Sequence, residues 1–193
     1  MTGVQTCALP ILPTPPKNDA VALLKADHRK VEDLFAKFEK ARDANRKQAL
    51  VHEICTELSI HATIEEEIFY PACKDQIKDE DLLEEAYVEH DGAKVLIAEL
   101  VESAPDAEFY DAKVTVLSEL IKHHVKEEER AADGVFAEAR KAGLDMAALG
   151  QRLQERKQAL MAQFAGGKLP PPKTRSYTGH KLEQSEPVAA PAD

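Results

Sequence analysis

The sequence predicts an all-α protein: an up-down-up-down four-helix bundle with an extra C-terminal helix and a disordered tail. Three observations carry this. Apolar residues recur at helical spacing almost continuously from Ala20 to Phe164, and Gly and Pro fall mainly at the breaks. The connections between the long stretches are short, which favours antiparallel neighbours. A chain of 193 residues suits one domain with some tail and is long enough to bury a core.

Each element has its own signals. The opening "MTGVQTCALPI" fits nothing that follows and reads as a translated sequencing adapter, so residues 1–18 are taken as a scar and proline-rich lead-in. Helix one runs from about Asp19, a plausible N-cap, to Arg42, with Leu24, His28, Val31, Phe35 and Phe38 on its seam. Helix two runs from about Arg46 to Tyr70, where Pro71 ends or kinks it. Helix three covers about Asp81 to Glu102 and closes at "SAP"; helix four spans about Asp106 to Lys141 and stops at Gly143. These four define a domain over residues 19–142. Residues 143–164 supply a fifth helix, from about Asp145, whose Leu149, Leu153, Leu160 and Phe164 share one side and suit a cap across the bundle. Residues 165–193 are rich in Pro, Gly and polar side chains, cannot bury enough to offset their ordering entropy, and are expected to be a disordered tail carrying His180 as a solvated residue.

Charge and cysteine usage narrow the function classes. With 25 basic and 35 acidic residues the net charge is −10, which opposes phosphate backbones and anionic membrane surfaces, so no nucleic-acid or membrane partner is expected. No apolar run approaches the roughly 20 residues that span a bilayer. Cys7, Cys55 and Cys73 form neither a disulfide framework nor a C-x-x-C metal site, which fits a reducing cytoplasm.

The chemistry lies in two related stretches, "HATIEEE" at 61–67 and "HVKEEE" at 124–129. In helix two the seam reads Ile54, Leu58, His61, Glu65, Ile68; in helix four Leu117, Ile121, His124, Glu128, Ala131 repeats the same steps of four, three, four and three. Each His-x-x-x-Glu pair therefore falls on the buried stripe. Helix one places His28 between Leu24 and Val31, and helix three places His90 between Tyr87 and Ala93. Counted from the turns, His28 and His61 lie about 16 and 17 residues from the first connection, nearly level at about 1.5 Å per residue. An ionised carboxylate in a core costs several kcal/mol unless compensated, and this seam holds two beside four imidazoles. A pair of divalent cations removes the penalty. Mixed imidazole and carboxylate donors without thiolate suit iron first, with manganese or zinc less favoured. Glu66, Glu67, Glu127 and Glu129 are read as a solvated face, His52 as solvated, and His123 as a neighbour able to replace or join His124.

With His28, His61-x-x-x-Glu65, His90 and His124-x-x-x-Glu128 in place, the chain resembles the hemerythrin-like HHE cation-binding domains over about residues 19–142. The resemblance implies a non-haem di-iron centre with the four histidines as terminal ligands and Glu65 and Glu128 as bridges. Two departures stand out. Oxygen-carrying members have a further histidine one turn after the third-helix histidine, where this chain has Lys94, and "EEERAADGVF" separates the acidic run from its phenylalanine more widely than the family pattern. Tyr87, on the same face as His90, is either an ordinary core tyrosine or a donor or oxygen ligand at the metals. The expected ligand is a small diatomic or peroxide. Binding or sensing of oxygen, nitric oxide, peroxide or iron stands beside two alternatives, decomposition of hydrogen peroxide and iron handling.

Overall fold

The computed structural model describes residues 19–179. Its elements are α1 (Ala20–Lys40), α2 (Ala44–Ile64), a π-helical turn (Glu65–Phe69), α3 (Tyr70–Cys73), α4 (Asp81–Glu102), α5 (Tyr110–Glu128), α6 (Val135–Lys141) and α7 (Met146–Phe164). Among the described residues there is no strand. The helix starts follow capping chemistry: Asp19 accepts from the Ala22 amide at 2.9 Å, Asp43 from Arg46 at 2.8 Å, and Asp145 from Ala147 and Ala148. Helices α1, α2, α4 and α5 form a ring in which α1 and α4 each pack between α2 and α5.

Two apolar clusters fill the bundle, one on each side of a polar layer. Leu24, Ile60, Ile64 and Ala86 belong to one, with residues of α6 and α7; Val31, Ile54, Leu58, Ala93 and Ile121 belong to the other. His28, between Leu24 and Val31, and His90, between Ala86 and Ala93, mark the level where the clusters part. The expected seams are buried except at Ala131, which is exposed, and Tyr87, which is partly buried.

Three boundaries differ from the sequence expectation. Helix two does not stop before Pro71: the backbone opens into a π turn, the Tyr70 amide bonds back to the Glu65 carbonyl, and a short helix carries on through Pro71 to Cys73. Proline has no amide to donate, and the wider turn accommodates the break. Helix four does not start at Asp106, because residues 104–109 make turns and Phe109 adopts a left-handed φ of 65°. It also does not reach Lys141. The chain turns back after Glu128, and a Cβ at Gly134 would lie 2.5 Å from the Glu128 carbonyl oxygen and 2.6 Å from that of Glu127, so only glycine fits. The wide spacing of "EEERAADGVF" is this reversal. It leaves Ala131 exposed and sends Phe136 of α6 over the bundle, its ring stacked on His28 at 5.8 Å and edge-on to Phe69 at 5.6 Å.

Helix α7 packs beside α1, α2 and the π turn rather than across the bundle end; Leu149, Leu153, Leu160 and Phe164 are buried there. Arg156 to Glu67 and Lys157 to Asp27 tie its polar side down.

Of the expected tail, residues 165–179 are described, while His180 and the rest lie outside the described residues, as do Cys7 and the lead-in. After α7 the chain runs as a non-helical strap. The Gly167 carbonyl meets His52 Nε2 at 3.0 Å, Leu169 packs against both apolar clusters, and the Lys173 carbonyl accepts from Lys94 Nζ at 3.1 Å. Asp91 Oδ2, fully buried, accepts from the amides of Arg175 (2.7 Å) and Ser176 (2.6 Å) and from the Ser176 hydroxyl (2.8 Å). Burial would raise the Asp91 carboxyl pKa, but these donors and Lys94 hold it below its ordinary value. Composition alone understated the strap because its order comes from one buried carboxylate far away in sequence.

Candidate metal centre

The four inward histidines meet in two pairs. His28 Nε2 and His61 Nε2 are 3.0 Å apart, and His90 Nε2 and His124 Nε2 are 3.1 Å apart. Glu65 Oε2 stands 3.1 Å from His61 Nε2 and 3.5 Å from His90 Nε2, so it joins the pairs; Glu128 Oε2 lies 3.4 Å from His28 Nε2 and 3.5 Å from His124 Nε2 and joins them again. All six side chains are buried, none more than 6 % exposed. Their donor atoms form two overlapping groups of metal-ligating size: His28, His61, Glu65 and Glu128; and Glu65, His90 and His124.

The donor set fits cations. Glu65 Oε1 and Glu128 Oε2 are buried and lack any hydrogen-bond partner, which for a carboxylate oxygen is costly without a positive charge nearby. Two nitrogens each about 2.1 Å from one ion at a right angle sit about 3.0 Å apart, the spacing of both Nε2 pairs. The electrostatics agree. Burial opposes an imidazolium at His61, yet Glu65, Asp27 and Glu128 outweigh it and push its pKa up to about 10. Burial likewise works to raise the Glu128 pKa, but His124, His28 and His61 hold it down to about 2. Burial depresses His90, whereas at His124 the charges of Glu128 and Glu89 overcome burial and raise it. The layer is built to hold carboxylates against positive charge. A proton on an imidazole supplies one unit, and divalent cations supply more.

Every imidazole turns its other nitrogen to a carboxylate. His28 Nδ1 meets Glu129 at 2.8 Å, His90 Nδ1 meets Glu66 at 3.0 Å, His124 Nδ1 meets Glu89 at 2.8 Å, and His61 Nδ1 faces Asp27 at 3.6 Å. Such partners fix the ring orientation and the tautomer that leaves Nε2 free to bind metal. Glu66 and Glu129 are therefore not the solvated residues the sequence suggested, while Glu67 and Glu127 do sit at the surface, pairing with Arg156 and Arg130. Sequence reasoning missed Asp27 and Glu89 entirely. A signal was there: each of the four partners directly adjoins a ligand candidate, as in Asp27-His28, Glu65-Glu66, Glu89-His90 and Glu128-Glu129. One residue along a helix turns the side chain by about 100°, toward the neighbouring helix.

The tyrosine at the cluster is Tyr70, not Tyr87. The Tyr70 hydroxyl donates to Glu128 Oε1 at 2.9 Å and lies 3.4 Å from both Glu65 Oε2 and His90 Nε2. A regular α-helix would turn position i+5 well away from Glu65; the extra residue in the π turn brings it back onto the ligand face. Tyr87 is partly buried, edge-on to the Tyr70 ring at 5.4 Å and beneath the Arg175 guanidinium at 4.4 Å, and belongs to neither ligand group. His123 is 66 % exposed, 3.4 Å from Glu89, and outside both groups. Lys94 points its ammonium at Glu66 (2.7 Å) and Asp91 (3.1 Å) and adds no donor to the cluster.

Comparisons with known proteins bear on the family and the fold. The model of the hemerythrin HHE cation-binding domain matches residues 19–132. A protein of Nostoc sp. (strain PCC 7120) described as a DNA nickase is 29 % identical over 107 residues, 55 % of this chain and 30 % of the relative, so the chain spans under a third of that protein's length. The crystal structure of an HHE cation-binding domain-containing protein from Mycobacterium kansasii superposes with a TM-score of 0.63 at 20 % identity, covering 77 % of this chain and 90 % of that one, a likeness of fold. With the match covering most of the chain and the His and Glu side chains converging as described, the chain belongs to the hemerythrin HHE cation-binding domain family.

Proposed function

We propose that this is a non-haem di-iron protein whose centre takes a small oxygen-derived ligand and consumes hydrogen peroxide rather than carrying oxygen reversibly. The observation that supports the reading is the overlap at Glu65 of two groups of metal-ligating size. His28 and His61 would hold one ion and His90 and His124 the other, with Glu65 and Glu128 available to both. Two iron ions held there would supply one-electron redox chemistry and exchangeable coordination positions.

The chain's own residues set the conditions. Glu129, Glu66 and Glu89 orient three of the rings by hydrogen bonds, Asp27 faces the fourth at 3.6 Å, Phe69 and Phe136 keep bulk water from the His28 side, and Tyr70 holds a proton beside Glu128. Burial and the charges of Glu128 and Glu65 raise the Tyr70 pKa well above its ordinary value, so the phenol stays protonated. Lys94 supports the peroxide reading, since its ammonium is committed to Glu66 and Asp91 and the cluster stays one nitrogen donor short of an oxygen carrier. The nicking activity named for the Nostoc relative has weaker support: most of that protein lies outside the shared region, and a net charge of −10 opposes a nucleic-acid substrate.

Metal analysis of protein purified anaerobically from iron-replete cells tests the reading, with about two irons per chain expected. Zinc alone, manganese alone, or one metal per chain would overturn it. Exposure to oxygen should oxidise the centre without reversal, and added peroxide should be consumed. A stable oxygenated spectrum that reverts on deoxygenation, with no peroxide turnover, would make the protein a carrier. Tyr70→Phe should change the optical spectrum and the peroxide rate, while Tyr87→Phe should change neither.

A further inference from the structure

A cavity of about 720 Å³ reaches from the ligand layer to the strap. The ring edges of His28, His61, His90 and His124 line its inner end, Val31, Leu58, Ile97, Ile121, Leu160 and Phe164 contribute apolar wall, and residues 169–175 roof it. A diatomic molecule or peroxide needs a small fraction of that space, whereas pockets for organic ligands run about 300–1,000 Å³. The charged lining carries both signs: Asp27, Glu66 and Glu67 are paired, and Glu102 has no ion pair among the described residues. Lys173 and Arg175 border the cavity and make no ion pair among the described residues, Arg175 lying instead on the Tyr87 ring, while Arg156 and Lys94 are already matched by Glu67 and Glu66.

We infer that this cavity is a binding site for a medium-chain carboxylate, with the aliphatic chain directed inward beside the ligand layer and the head group at Lys173 and Arg175. The roof suits entry. Its proline-rich stretch 170–172 has no helix to unwind, and apart from Leu169 it is held by polar contacts of Lys94 and Asp91 at one end and of His52 at the other. Lifting it disturbs no helix of the bundle.

The site is tested on full-length, metal-loaded protein with the fluorescent probe N-phenyl-1-naphthylamine. Laurate should displace the probe at about tenfold lower concentration than dodecanol, the uncharged chain of the same length. Ala98→Phe and Leu169→Phe, which place bulk in the outer cavity, should each weaken laurate by about tenfold or more. Lys173→Glu should remove the preference for laurate over dodecanol. If laurate leaves the probe in place, or displaces it equally well from wild type and both filled variants, the site does not exist. If dodecanol matches laurate on wild type, the carboxylate assignment fails. Iron content measured on the same samples keeps these outcomes separate from the di-iron reading.

Discussion

At the scale of single residues, the telling pattern is that four of the six ligand candidates, His28, Glu65, His90 and Glu128, have an acidic neighbour in sequence that serves a histidine on a different helix. Glu66 follows Glu65 and holds His90 across the bundle; Glu129 follows Glu128 and holds His28. Loss of such a partner typically costs about 10- to 100-fold in metal affinity. Glu66→Gln and Glu129→Gln should each lower affinity by that order in a chelator competition, whereas Glu67→Gln, which removes only a surface pair with Arg156, should leave it unchanged. Equal affinity in all three would show that the imidazoles need no second partner. The two buried cysteines give a further residue-level expectation. Burial pushes the Cys55 thiol up to about 12, and burial with the charges of Glu128 and Glu65 does the same at Cys73. A thiol with a raised pKa is protonated at pH 8 and a poor nucleophile. Alkylation followed by peptide mass mapping should find both residues unmodified in the native protein at pH 8 and modified after unfolding. Fast native labelling of either would contradict its burial.

Among the elements, the π turn and the strap shape the site most. The turn begins at Glu65 and gives the two halves of the bundle different endings. On α2 one extra residue carries Tyr70 to the ligands, while α5 simply ends after Glu128 and reverses at Gly134. The strap connects to the same layer through a continuous run of contacts: His90 Nδ1 to Glu66, Glu66 to Lys94, Lys94 to Asp91 and the Lys173 carbonyl, and Asp91 to Arg175 and Ser176. Three hydrogen bonds converge on one buried carboxylate oxygen, and a strap without helix or sheet has little else to hold that end. Asp91→Ala should therefore speed tryptic cleavage after Lys173 and Arg175 by about tenfold or more, at roughly 1–3 kcal/mol for the lost buried interactions, with helix content by circular dichroism unchanged. Cleavage no faster than in wild type would mean that Leu169 and the Lys94 contact suffice.

The whole molecule is two apolar clusters with a charged layer between them. Buried carboxylates and imidazoles there are tolerable when compensated, and cations that bind only the folded state add their binding free energy to its stability. Metal-free protein should melt at least about 10 °C below metal-loaded protein in a calorimetric scan. Coincident melting temperatures with and without chelator would indicate that protons on the imidazoles compensate the layer as well as metal does.

The sequence by itself determined the helical class, the seams and the six ligand candidates, because period and burial are local properties: a histidine or glutamate in step with leucine and isoleucine on a helix has to face inward. It also showed α4 to its observed ends, Asp81 and Glu102, and the buried side of α7. Tertiary structure alone decided which carboxylate serves which imidazole, since Glu66 and His90, or Glu129 and His28, are matched by the packing of helices distant in sequence. It alone placed Tyr70 instead of Tyr87 at the cluster, because the π turn breaks the 3.6-residue rhythm from which faces are read. And it alone ordered residues 165–179, whose composition promises little but whose amides meet the buried Asp91, a hydrogen-bond acceptor that exists only once the bundle has formed.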